Sequence, residues 1–172
     1  MNYHSAGEFQ EIFDSACALV YEAFPKTTQG EYLAMDQRGA AQAYIPHAAH
    51  LGRRYAESRR IGSTLKGYVN FFFLFLLKTH SFDRSDTFIK LLRDCSWYLY
   101  EVSDYDVCIE MVRAAWSACE DQSSLLYGDL CNIAGAAYYE INKLDECRKN
   151  WEIFSKIQES LLPCTAVEVS PA

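Results

Sequence analysis

Apolar side chains recur three and four residues apart along most of this chain, and this spacing predicts helices. The clearest pattern lies between Leu91 and Leu162, where the residue pattern of one helical hairpin occurs twice. The two copies are related by a constant offset, which equals the separation of Ser96 and Gly135. The first copy carries Cys95, Ser96, Leu99, Tyr105, Cys108, Val112 and Ala115, and the second carries Ala134, Gly135, Tyr138, Leu144, Cys147, Trp151 and Phe154. Because small residues let antiparallel helices approach while large ones fill the gap, the pattern predicts two stacked hairpins.

The ends of these hairpins are also marked. We predict helices over Thr87–Val102, Tyr105–Cys119, Ser124–Ile141 and Leu144–Leu161. Asp104 stands where an N-cap carboxylate is favoured, and Asn142 stands where a left-handed C-cap residue is needed. Such a pair resembles two tetratricopeptide repeats, whose usual period is about 34 residues. We therefore expect the extra residues in the connection around Glu120–Ser124.

Residues 1–60 predict an N-terminal helical pair. A capping box at Ser5–Glu8 starts a helix whose apolar stripe ends before Pro25. A second helix is expected over Glu31–Glu57, with a kink or a fresh start at Pro46. Since about three repeats are normally needed for a stable array, we expect this pair to act as a third, divergent unit.

Residues 61–86 form a phenylalanine-rich insert that breaks the regularity. Tyr68–Leu77 is apolar without a helical or strand period, and it is too short to span a membrane, which takes about 20 residues. We expect this run either to be covered by another part of the fold or to be exposed and prone to aggregation. Because thymine-rich tracts encode phenylalanine runs, we hypothesise that residues from about 67 to 84 translate a retained intron, which sequencing of the spliced transcript would test.

Charge narrows the possible partners. Residues 1–90 carry 10 basic and 9 acidic side chains, whereas residues 91–172 carry 6 and 14. This acidity argues against nucleic acid as the ligand of the repeats and favours a basic partner. The basic cluster, interpreted as a solvated helix end, consists of Arg53, Arg54, Arg59 and Arg60.

The seven cysteines do not indicate a disulfide framework. Their number is odd, there is no signal peptide at the start, and no Asn-x-Ser/Thr acceptor is present. We interpret them as reduced, small core residues of a cytoplasmic protein. Residues 163–172, which begin with the helix-stopping Pro163, are expected to be a disordered tail.

Recognisable catalytic motifs are missing from the sequence. Gly62–Gly67 has the glycine spacing of a phosphate-binding loop, but Tyr68 and Val69 replace its Lys and Ser/Thr. His47 and His50 share a helix face without a third ligand. We expect no cofactor, no metal and no enzymatic activity, although a Cys and His pair that meets only in the fold stays an alternative.

The aromatic and amide residues of the repeats indicate a binding surface. The first helix of each tetratricopeptide repeat lines a concave face that holds an extended peptide. We assign Trp97, Trp151 and Tyr138 mainly to packing. The predicted concave face contains Arg93, Tyr98, Asn132, Tyr139 and Glu140.

Four segments taken together resemble the C-terminal tetratricopeptide region of fungal NB-ARC or NACHT-type (STAND) signalling ATPases. They are Glu22-Ala-Phe-Pro25, Tyr44-Ile-Pro-His-Ala-Ala-His-Leu51 with Tyr55, Leu91-Leu-Arg-Asp-Cys-Ser-Trp-Tyr-Leu-Tyr-Glu101 and Asn132-Ile-Ala-Gly-Ala-Ala-Tyr-Tyr-Glu140. The resemblance implies a sensor or interaction arm detached from its ATPase. The family has a short connection where the insert stands here, which points to a gene-model error.

These observations predict an all-α fold of antiparallel helical hairpins stacked as a short right-handed superhelix, with the two repeats over residues 87–162. The predicted function is a protein–protein interaction module that binds a protein or peptide, basic by preference, through an acidic concave face. One alternative is a small-molecule-binding or enzymatic protein with a pocket between the N-terminal helices and the repeats, contacted by His47 and His50. Another is a fragment without independent function.

Overall fold

The computed structural model describes residues 6–26, 33–65 and 86–161, which form six helices and no strand. The expected all-α class is therefore confirmed for these ranges. The helices are α1 (Ala6–Ala23), α2 (Arg38–Leu65), α3 (Asp86–Glu101), α4 (Tyr105–Ala118), α5 (Leu125–Glu140) and α6 (Leu144–Leu161).

The odd-numbered helices form one row, in which α1 packs on α3 and α3 packs on α5. Each even-numbered helix packs on the odd-numbered helix before it, and α2 also packs on α4. In addition, α2 contacts α3, and α4 contacts α5, so each even helix except the last also contacts the odd helix that follows it. The N-terminal pair is thus joined to the two hairpins through α3 and α4.

The two hairpins α3–α4 and α5–α6 repeat each other at the step predicted from the sequence. The first helices begin at Asp86 and Leu125 and end at Glu101 and Glu140, so both ends are displaced by the same amount. The second helices begin at Tyr105 and at its counterpart in α6, with the same displacement again. The duplication in the sequence therefore extends to both ends of the first helices and to the start of the second, whereas α6 continues about one turn beyond the position equivalent to the end of α4.

The turns inside the two hairpins are equivalent as well. Ser103 (φ 64°) and Asn142 (φ 58°) hold the same left-handed position, as expected for Asn142. After each of them a backbone N–H donates back across the helix end, from Asp104 to the Leu99 carbonyl (2.9 Å) and correspondingly at 2.8 Å in the second turn. Both turns therefore have the Schellman geometry.

Capping differs between the hairpins. Asp104 lies at the N-cap of α4, but its side chain makes no capping hydrogen bond. Ser124 at the N-cap of α5 accepts a hydrogen bond from the Tyr127 backbone N–H at 3.2 Å. The N-cap position of Asp104 was predicted correctly, whereas its expected side-chain contact is not formed.

Small residues lie between the paired helices, as the duplication predicts. A Cβ atom added to Gly135 would lie 2.5 Å from two indole atoms of Trp151. Cys147 is buried in the same hairpin, and the counterparts Ser96 and Cys108 are buried in the first. The close approach of α5 and α6 thus requires a residue without a side chain at position 135.

The second helix differs from its predicted bounds. It begins at Arg38 rather than Glu31 and continues through Pro46 to Leu65, without a fresh start near the proline. Proline inside a helix costs about 3 kcal/mol, since it removes one hydrogen bond and crowds the preceding turn. Packing offsets this cost, because one side of the helix is fully buried at Ala41, Ala48 and Tyr55. This stripe keeps the helix continuous while Pro46 faces solvent.

The start of the predicted capping box (Ser5), most of the phenylalanine-rich insert (66–85) and the expected tail (163–172) lie outside the described residues. The beginning of the insert, 61–65, belongs to α2. Among the helices of the described ranges, none is both long enough and apolar enough to cross a bilayer.

One core joins the N-terminal helices to the first hairpin. Phe88 of α3 is fully buried, with its ring centroid 5.2 Å from that of Phe13 in α1 and 4.9 Å from that of Tyr55 in α2. A hydrogen bond also joins the N-terminal part of the chain to α3, since the Glu101 carboxylate accepts the Leu33 backbone N–H at 3.0 Å. The N-terminal pair therefore packs as part of the same body as α3.

Candidate interaction face

The accessible side chains of α3 and α5 lie on matching stripes. We call this surface the odd-helix face. On α3 it comprises Lys90, Arg93, Trp97, Tyr100 and Glu101, and on α5 it comprises their counterparts in the second copy, Asp129, Asn132, Ala136, Tyr139 and Glu140. All of these residues are exposed or half-buried, whereas their neighbours on the other sides of both helices are mostly buried. The face includes every predicted site residue except Tyr98.

Arg93 is not a free cation on this face. Its Nε lies 2.8 Å from Oδ1 of Asp94, and its Nη1 lies 3.2 Å from Oδ2 of Asp129 on α5. Its side chain is only 23% exposed. Two carboxylates therefore neutralise Arg93, and its hydrogen bond to Asp129 links α3 to α5.

Tyr98 does not lie on the odd-helix face. It is 5% exposed, its ring packs edge-on against Phe24, and its hydroxyl donates to the Arg38 carbonyl at 3.2 Å. The counterpart of Tyr139 is Tyr100, which the constant step between the copies identifies. The residue type alone does not distinguish the two tyrosines, whereas the register does, since neighbouring residues on a helix point about 100° apart.

Asn132, Tyr139 and Glu140 are accessible, as expected for a binding surface. Tyr139 is 56% exposed and stacks on Trp151, with ring centroids 6.1 Å apart. Trp151 was assigned mainly to packing. One part of its ring packs on Gly135, but the residue is 39% exposed, so the rest of the ring is accessible to solvent.

Two aromatic members of the face were not among the predicted site residues: Trp97, which the sequence assigned mainly to packing, and Tyr100. Both are half-buried, and their ring centroids lie 5.6 Å apart. Their spacing of three along a helix was the available signal, because it places two aromatic rings on one side. Together with Tyr139 they give the face an aromatic character.

An ion pair between the buried Asp94 and the exposed Lys26 joins α3 to the N-terminal unit. Asp94, 8% exposed, lies 3.7 Å from Nζ of Lys26, which follows α1. Lys26 also lies over the Tyr21 ring and donates to the Tyr21 carbonyl. Burial raises the pKa of Asp94 although the adjacent Arg93 and Lys26 oppose this shift, and burial lowers the pKa of Lys26. For Asp94, loss of water outweighs the attraction of its two cations.

This direction gives a pH prediction for Asp94→Asn. The raised pKa means that the folded protein holds the Asp94 proton more tightly than the unfolded chain does. Its contribution is therefore fully present below its ordinary pKa of 3.8 and is lost as pH rises through the raised value. Urea unfolding of both proteins between about pH 3.5 and 7 should show the wild type losing stability relative to the variant as pH rises. A gap that is constant, or that moves the other way, contradicts this assignment.

The thiols are poorly suited to nucleophilic chemistry. Burial raises the pKa of Cys17 and of Cys108 to about 12 and that of Cys131 to about 11. The pKa of Cys95, which is fully buried, shifts in the same direction. Since the thiolate is the reactive form, these side chains behave as small apolar packing residues.

The described residues also lack an obvious metal site. No group of three or more His, Cys, Asp or Glu side chains is arranged to hold an ion within the described ranges. His47 and His50 are exposed on α2. What the odd-helix face offers is an extended surface of aromatic, amide and carboxylate groups, which suits binding of another chain.

Comparison with known proteins does not add a family. No family model, no curated protein and no solved structure matches this chain. The resemblance to the tetratricopeptide region of signalling ATPases stays a prediction. The functional argument therefore rests on the geometry of the helices and their accessible side chains.

Proposed function

We propose that this chain is a tetratricopeptide-like helical-repeat module that binds another protein or peptide through its odd-helix face. The observation that carries the proposal is the duplication, in which the first helices have equivalent ends, the second helices have equivalent starts, and the turns share the same left-handed position. Repeated hairpins of this kind present a continuous row of first helices, and such rows serve as binding surfaces.

The packing of the N-terminal pair supports a three-unit arrangement. The pair α1–α2 contacts α3 and α4 in the order that α3–α4 contacts α5: odd helix on odd helix, and even helix on the odd helix that follows. Three units meet the number normally needed for a stable array. In this proposal the superhelix is short, and its inner surface is the odd-helix face.

The charges of the face favour a basic or neutral partner. Arg93 is already paired with two carboxylates, so it offers little to an acidic ligand. Glu140 and Asn132 are accessible beside Tyr139, and they provide acceptors for Lys, Arg or backbone N–H groups. We propose a partner segment that combines basic with apolar side chains.

We propose no catalytic role for the chain. The raised thiol pKa values described above support this, as does the exposure of His47 and His50, which does not suit an enclosed pocket. The role that best fits is a sensor or scaffold arm of a signalling protein, acting in the cytoplasm with reduced cysteines.

Site-specific photo-crosslinking tests the surface directly. A photoreactive amino acid at Asn132 on the odd-helix face should capture a partner in the source cell, whereas the same residue at the exposed Glu110 of α4 should not. Glu140→Lys should then weaken binding of the identified partner by about tenfold, since it reverses one contact charge. Equal capture from both positions, or unchanged affinity of the variant, would refute the proposed face.

A further inference from the structure

Exposed apolar side chains are concentrated on the last hairpin. Of the large apolar side chains exposed in the described ranges, more than half belong to α5 and α6: Leu125, Tyr139, Leu144, Trp151, Ile153 and Leu161. Tyr139 and Trp151 are the exposed aromatic residues of this group, and they stack on each other. Two of these residues, Leu144 and Trp151, lie two turns apart on α6 and therefore share one side of that helix.

The first hairpin shows how the equivalent surface is covered. Ile109, Val112 and Trp116 share one side of α4, and that side faces α5, because Trp116 lies against Tyr127 with ring centroids 6.3 Å apart. Ile109 is 6% exposed and Val112 is fully buried. The next helix in the stack therefore packs on this side of α4.

The same side of α6 is open in the described chain. Its residues are Leu144, Arg148, Trp151 and Ser155, which we call the open-end face, and all four are exposed. Trp151 is the counterpart of Val112, and Arg148 is the counterpart of Ile109. Trp151 is held in place by Gly135 beneath it and Tyr139 beside it, so its exposed surface is already ordered for binding.

The charges around Trp151 are self-complementary. Arg148 lies one turn before Trp151 along α6, and Glu152 lies at the edge of the open-end face, one turn after Arg148. Both are exposed, and neither forms an ion pair within the described residues. A uniformly basic partner would be repelled by Arg148 and a uniformly acidic one by Glu152. A two-fold axis, in contrast, pairs each cation with the anion of the other copy.

We propose that the open-end face binds a second copy of this chain. The two α6 helices pack antiparallel across a two-fold axis, with Trp151 of both copies next to the axis. Arg148 of each copy pairs with Glu152 of the other, so each contact occurs twice. This inference rests on the duplication and the charges of α6, and of the odd-helix face only Tyr139, which stacks on Trp151, borders the contact.

Charge reversal and charge swap test this dimer in the full chain. Light scattering with size-exclusion chromatography should give a mass twice the 19.7 kDa of the monomer. Glu152→Arg and Arg148→Glu should each raise the dimer dissociation constant by about tenfold or more, since each creates two like-charge contacts. The double variant Arg148→Glu/Glu152→Arg should return to within about threefold of wild type, because the swapped pair is again complementary.

The matched control is Glu146→Arg, which makes the same change in charge on a different side of α6. It should leave the dissociation constant unchanged, and circular dichroism should show all variants folded. A wild-type chain that is monomeric at about 100 µM, as expected if residues 162–172 or another protein occupied this face, would overturn the proposal. A double variant no tighter than either single reversal would also overturn it.

Discussion

Replacing Phe88 by alanine is expected to lower the free energy of unfolding by about 3–5 kcal/mol. Phe88 is fully buried between Phe13 of α1 and Tyr55 of α2, so its removal leaves a cavity where the N-terminal pair meets the first hairpin. Urea denaturation followed by circular dichroism measures the loss. If the N-terminal helices and the hairpins unfolded as separate units, the variant would show two unfolding transitions instead of one transition at a lower urea concentration.

Tyr55→Phe is the matched control in the same cluster. The Tyr55 hydroxyl is buried and has no hydrogen-bond partner within the described residues. Removing an unsatisfied buried hydroxyl while keeping the ring should stabilise the protein by about 1 kcal/mol. A Phe88→Ala variant as stable as wild type, or a Tyr55→Phe variant that is clearly destabilised, would contradict this account of the junction.

The second large effect is expected at Gly135. Gly135→Ser places a Cβ 2.5 Å from the Trp151 indole, so the ring must move and the packing of α5 on α6 must change. We expect a loss of about 1–3 kcal/mol in the free energy of unfolding, as for other overpacked sites. Gly39→Ala in α2 is the control, because an added methyl group there meets no atom within 4 Å. It should instead stabilise by about 0.5 kcal/mol.

The first hairpin supplies a rescue for this variant. There the counterparts of Gly135 and Trp151 are Ser96 and Val112, both fully buried without conflict. In a Trp151→Val background, Gly135→Ser should therefore cost little, and the double-mutant cycle should show coupling of about 1 kcal/mol or more. Equal costs of Gly135→Ser in the two backgrounds would show that the two sites are not in contact.

The hairpins were predictable because their signals are local or repeated. Small and large residues at a fixed step placed α3 to α6 within about two residues of their observed ends, and Asn142 identified the left-handed turn position. Ser103 carries no such signal, since serine is not favoured at positive φ. It is recognisable only as the counterpart of Asn142.

The remaining features depend on contacts distant in sequence. The continuity of α2 through Pro46 follows from burial of Tyr55 and its neighbours against α1 and α3, which local propensity does not report. Lys26 and Asp94 lie in different units of the chain, and only the fold brings them together. The same holds for Arg93, which the sequence placed on the predicted concave face and which is neutralised in part by a carboxylate of the next hairpin.

The central claim is that α3–α4 and α5–α6 are two copies of one hairpin in a single stack. Pairs of spin labels at equivalent exposed positions test it: Asp86 with Ser117 in the first hairpin, and Leu125 with Lys156 in the second. Pulsed electron–electron double resonance should give the same distance for both pairs within about 3 Å, which is the rise of two residues along a helix. Two clearly different distances, or a broad distribution for either pair, would contradict the duplication from which the proposed function follows.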